Sequence, residues 1–111
     1  MDQAKALAAL SALANDTRLD LVRRLIPAGE KGLPAGDIAE ALGVSASRLS
    51  FHLSALQGAG LVTARRESRN VIYAVNRGGI GALVSYILDD CCCADPGIRA
   101  CCAAQGQDHG H

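Results

Sequence analysis

Aromatic side chains are nearly missing from this chain of 111 residues: there is no Trp, and Phe51, Tyr73 and Tyr86 are the whole set. A core without large rings must be filled by Ala, Leu, Ile and Val, which suits closely packed helices. Cysteine is missing from the first 90 positions, which excludes a disulfide framework spanning the fold. No apolar run approaches the roughly 20 residues needed to cross a bilayer, so no membrane partner is expected. The N-terminal stretch MDQAKALAALSALA is too Ala-rich and too quickly acidic for a secretory leader, which points to the cytoplasm. A phosphate-binding glycine loop is also missing, as is a nucleophile–base pair in any evident cleft, and both argue against an enzyme. What is present is 50% hydrophobic and 20% charged residues, the composition of one globular domain. A domain this small buries a modest share of its surface, so a core shared across a homodimer is expected.

The formal net charge is zero, but it is unevenly spread. Between positions 45 and 77, Arg48, Arg65, Arg66, Arg69 and Arg77 face Glu67 alone, whereas the last third sets Arg99 against Asp89, Asp90, Asp95 and Asp108. A basic block inside a neutral chain suits the phosphate backbone of a nucleic acid, although a solvated charged face has the same composition. The cysteines are more uneven still, because all five lie between 91 and 102: Cys91, Cys92, Cys93, Cys101 and Cys102. Such crowding points to soft-metal binding or redox chemistry rather than to scattered buried thiols.

Helical spacing of Leu7, Leu10 and Leu13 predicts a first helix over 3–14 with those leucines as its apolar stripe. A second, capped by Asn15 or Asp16, runs to about Ile26 with Leu19, Val22, Leu25 and Ile26 inward and Arg18, Arg23 and Arg24 outward. Pro27, Gly29 and Gly32 mark a loop. A short third helix is predicted over about 35–42, stopped by a left-handed Gly43, and Ser45 caps a fourth whose inner stripe is Leu49, Leu53 and Leu56. The Val-, Ile- and Thr-rich stretches 61–66 and 70–75 read as a hairpin with a basic tip. Gly78 and Gly79 break the chain before a fifth helix with the stripe Ile80, Leu83, Val84, Ile87 and Leu88. The tail AAQGQDHGH has no apolar anchor and is expected to be mobile, and its His109 and His111 are read as tail rather than ligands. The expected organisation is a DNA-binding and dimerisation domain over 1–90 and a cysteine-rich segment with a mobile tail over 91–111.

Helix, glycine turn and capped helix in DIAEALGVSASRLSFHLSAL form a helix-turn-helix pattern, and the basic hairpin after it makes a wing. The fold class expected is mainly α with a small β-hairpin (α+β), a homodimeric winged helix-turn-helix. Ser45, Ala46, Ser47, Arg48, Ser50, Phe51 and His52 are left to face double-stranded operator DNA, with Arg65, Arg66 and Arg69 of the wing gripping its backbone. His52 has a second reading, as a partly buried, hydrogen-bonded histidine.

LSALANDTRLDLVRRL, GDIAEALGVSASRLSFHLSALQGAGLV and RRESRNVIYAV together resemble the ArsR/SmtB family of metalloregulatory repressors, over about residues 5–90. The resemblance implies a homodimer that blocks a promoter until a metal or metalloid releases it. The family's best-known arsenic site, a Cys-x-Cys pair at the start of the third helix, falls here on Pro34 and Gly36, and the fifth helix lacks the His of its zinc site. A third family arrangement, a vicinal thiol pair after the fifth helix with a third thiol further on, resembles Cys91-Cys92 followed by Cys101 or Cys102. Cys93 leaves open whether Cys92-Cys93 is the working pair. Three soft thiolates suit trivalent arsenic or antimony, including an organoarsenical, as the inducer. Five thiols could also hold zinc, cadmium or lead, and reversible disulfides would make a redox-sensing repressor instead.

Overall fold

The computed structural model describes residues 1–91. Helix α1 (Gln3–Leu13) starts where the Asp2 side chain accepts a hydrogen bond from the Lys5 N–H at 2.8 Å. Helix α2 (Asp16–Ala28) is capped by Asn15, whose side-chain oxygen accepts from the Arg18 N–H at 3.2 Å. Pro27 lies inside its last turn instead of in the loop, and a 3₁₀ turn (Gly29–Lys31) follows.

Strand β1 (Leu33–Pro34), two residues long, was not foreseen; it pairs Leu33 with Tyr73 and Pro34 with Ile72. Gly32 precedes it at φ +68°, and a Cβ there would meet the Tyr73 carbonyl, so this close approach admits only glycine. Helix α3 (Ala35–Leu42) ends on Gly43 at φ 67°, ψ 33°, the left-handed stop expected of it. Helix α4 (Ala46–Gly58) follows the Ser45 cap. Strands β2 (Val62–Glu67) and β3 (Asn70–Val75) form the hairpin in register from Val62↔Val75 to Glu67↔Asn70, and the antiparallel sheet runs β1-β3-β2. Its two-residue turn holds Ser68 at φ 56°, a conformation that costs a side chain about 1 kcal/mol.

Helix α5 (Arg77–Ser85) is capped by Asn76, and a π-helical turn (Tyr86–Cys91) continues it. Gly78 and Gly79 thus lie in the first turn of α5 and do not separate it from the wing. The reason is packing: a Cβ on Gly79 would collide with the Gly60 carbonyl, so glycine is required for α5 to start against the end of α4. The fold is the expected winged helix-turn-helix of mainly α class.

The core is aliphatic, built on Leu21, Leu25, Ile38, Leu49, Leu53, Leu56, Leu61 and Val62. Two stripes differ from expectation. In α1 it is Ala6, Ala9 and Ala12 that are buried, while Leu7 and Leu10 are 58% and 42% exposed. In α2 the inner face is Leu21, Val22 and Leu25, with Leu19 and Ile26 turned outward. Close packing of α1 against α2 and α4 selects the small side chains, and the leucines one position on are rotated away. No helix among the described residues is long and apolar enough to cross a membrane.

Candidate nucleic-acid interface

Helices α3 and α4 pack against each other. Ile38, Leu49 and Leu53 are buried between them and the rest of the core, and Leu42 and Val44 pack at the turn. Ser45 Oγ accepts from the Arg48 N–H at 3.2 Å and lies 3.4 Å from Ser47 Oγ. Such a cap stabilises a helix by about 1 kcal/mol and leaves other first-turn amides directed outward, where an anion is favoured. Ser45, Ala46, Ser47, Arg48, Ser50 and Phe51 are all exposed, as a DNA-reading face requires. Ala46 and Ser47 in its first turn are small, and Arg48 beside them supplies a cation.

His52 departs from the outward reading. It is only 6% exposed, and Nδ1 accepts a hydrogen bond from Arg18 Nε at 3.1 Å. Its place in α4, three residues after Leu49 and one before Leu53, turns it to the inner face. Burial, and then the positive charges of Arg18 and Arg48, push its pKa below the ordinary histidine value. The ring is therefore neutral near pH 7, with its proton on Nε2. Arg18, expected as a solvated outward charge, is a tie between α2 and α4. Its guanidinium carbon also lies 5.6 Å from the centre of the Phe51 ring, which stands edge-on to His52.

The wing arginines divide into two kinds. Arg65 is fully engaged: Nε donates to Glu67 Oε2 at 2.6 Å, Nη1 to the Glu30 carbonyl at 2.9 Å and Nη2 to the Lys31 carbonyl at 2.7 Å. It braces the wing against the 3₁₀ turn. Arg66 and Arg69 are exposed and make no hydrogen bond or ion pair with the described residues, so they are the wing's available cations. Alternation along β2 puts Arg66 on the opposite face from Arg65.

A second junction escaped the sequence reading. Asn76 Nδ2 donates to the Gly60 carbonyl at 3.0 Å, its Oδ1 accepts from the Gly79 N–H at 3.1 Å, and its own N–H bonds the Leu61 carbonyl at 2.9 Å. One side chain thus fastens the start of α5 to the segment just after α4. An Asn before two glycines was the available signal, since Asn is a preferred N-cap.

Of the predicted ligand residues, the structure describes Cys91 at the end of the π-helical turn. Cys92, Cys93, Cys101 and Cys102 lie outside the described residues, as does the tail. Among the described residues, no three His, Cys, Asp or Glu side chains converge into a metal-binding group.

Residues 13–65 match a family model described as a helix-turn-helix domain. The chain is 33% identical to the transcriptional activator HlyU of Vibrio cholerae, over 78% of this chain and 77% of that protein. It is 48% identical to a putative arsenical resistance operon repressor of Halobacterium salinarum, over 55% of this chain and half of that protein. Among solved structures, the homodimeric winged helix-turn-helix DNA-binding domain of a possible ArsR-family regulator from Mycobacterium bovis superposes with a TM-score of 0.62 at 30% identity. That match covers 78% of this chain and 80% of the other.

Proposed function

The chain belongs to the ArsR family of winged helix-turn-helix transcriptional regulators, and on that premise we propose that it is the repressor of a metalloid-resistance operon. It acts in the cytoplasm as a homodimer on operator DNA. It lets go when trivalent arsenic or antimony is captured by thiolates among Cys91, Cys92, Cys93, Cys101 and Cys102. The observation that carries the ligand reading is the crowding of all five cysteines directly after the helix that follows the wing. A soft, three-coordinate ion suits a thiolate donor set better than it suits the oxygen and imidazole donors of the rest of the chain. The Halobacterium relative is described as a putative arsenical resistance operon repressor, which supports the same ligand class. The sign of regulation is part of the proposal, because HlyU is described as an activator.

Pairing is supported by the leucines that α1 leaves in water together with Val84 of α5, which is 48% exposed. A dimer of this kind sets two recognition helices about 34 Å apart, one turn of B-DNA. Small changes between the protomers then decide whether both helices fit. Coupling energies between such sites are typically about 1–3 kcal/mol, enough to change occupancy several-fold or more.

The test is a duplex selected from a random library and titrated with the reduced protein. Arsenite and antimonite should dissociate the complex, while zinc and peroxide should not. Release by zinc alone replaces the metalloid with a tetrahedral zinc site, and release by peroxide without metal replaces it with disulfide sensing. Single Ser replacements at Cys91, Cys92, Cys101 and Cys102 should blunt the response in at least two cases. Full response in all four removes these thiols from the mechanism.

A further inference from the structure

We propose that Arg18, on α2, is an additional contact to the DNA backbone, outside both the recognition helix and the wing. The inference rests on the DNA-binding reading above and adds a site to it. Arg18 Nε is committed to His52, and the guanidinium lies against the exposed Phe51 ring. Those contacts leave its two Nη groups without a partner among the described residues. The guanidinium is thus held at the edge of α4, beside Phe51, with four N–H donors unspent.

The chemistry of the holder is informative. An arginine that only fastens two helices is well served by a carboxylate, which neutralises it. Here the holder is a buried neutral imidazole, which orients the guanidinium and leaves its whole charge available. Arg48 acts on the same imidazole from the recognition helix. Arg18 is thus held at the ring while the charge of Arg48 is felt there, and no carboxylate is paired to either arginine among the described residues. Positive charge left without a carboxylate at this edge favours a covering polyanion. A phosphate accepts two parallel N–H bonds from a guanidinium, which fits the pair of Nη groups left over.

The experiment reads the salt dependence of binding to the selected duplex. Each phosphate contact contributes about 0.9 to the slope of log K against log salt, so Arg18→Met in a dimer should lower the slope by about 1.8. Affinity should fall by roughly tenfold or more near 0.1 M salt. Arg18→Lys should keep most of the slope while binding more weakly, because an ammonium cannot donate to His52 and to a phosphate in the same fixed fork. An Arg18→Met protein that binds more weakly with an unchanged slope reduces Arg18 to a structural tie and overturns the inference. A second measurement needs no variant: phenylglyoxal modification of the wild-type protein, read by peptide mass. Arg18 should react in the free protein and be protected by duplex, and equal reaction in both states overturns the inference. Failure of the wild-type protein to bind any duplex defeats the DNA-binding reading itself, a result distinct from either of these.

Discussion

Helices α1 and α4 are both written largely in Ala, Ser and Leu, yet they are buried in opposite senses. Helix α4 hides Leu49, Leu53 and Leu56 and shows Ala46, Ser47 and Ser50 to water. Helix α1 hides Ala6, Ala9 and Ala12 and shows Leu7 and Leu10. The difference teaches what each outer face is for. Outside α4, small Ala46, Ser47 and Ser50 alternate with exposed Arg48 and Phe51, a face that is not a continuous apolar stripe. Leucines outside α1 lower the free energy only if another apolar surface covers them, which in the homodimer proposed above would be a second copy.

The contrast can be broken most severely from inside α4. Leu53→Ala should cost about 2–5 kcal/mol of stability, because Leu53 is fully buried in the core, and thermal unfolding measures it. Breaking it from outside α1 should spare the protomer and strike the pair. The double change Leu7→Glu, Leu10→Glu should raise the dimer dissociation constant at least about a hundredfold in sedimentation equilibrium, since each leucine buried is worth about 1.5 kcal/mol or more. Removing the cap with Ser45→Ala should be milder, about 1 kcal/mol, with weaker DNA binding.

The smallest effect belongs to the one polar residue on the inner face of α4. His52 has a folded pKa below its ordinary 6.5, so between those two values the unfolded chain takes up a proton that the folded chain refuses. Its contribution is fully present above pH 6.5 and is lost as pH falls through the lowered value. The melting temperature should therefore decline on acidification from pH 7, and His52→Gln should flatten that part of the profile.

These helices also show what was legible in advance. Gly43 and Ser45 announced the α3–α4 turn because each residue type has a local reason to stand there, and local reasons survive folding. The stripe of α1 was misread because Leu7 and Leu10 share helical spacing with Ala6 and Ala9, and hydropathy favours leucine where tertiary packing favours alanine. Strand β1 was hidden by its two-residue length and by Pro34, which has no N–H to give. Gly78 and Gly79 read as a break because their actual reason, the Gly60 carbonyl, is distant in sequence. Arg65 and His52 were legible as residue types but not as roles, because their partners Glu30, Lys31 and Arg18 come from elsewhere in the chain.

The fastening at Asn76 has a mechanical meaning. With Gly79 seated against the Gly60 carbonyl and the Asn76 amide closing the gap, α5 and the strand entrance after α4 meet without slack. A hinge would swallow a twist applied along α5, whereas a keyed coupling hands it on. A twist entering along α5 therefore reaches the segment that closes α4 instead of being spent at their junction.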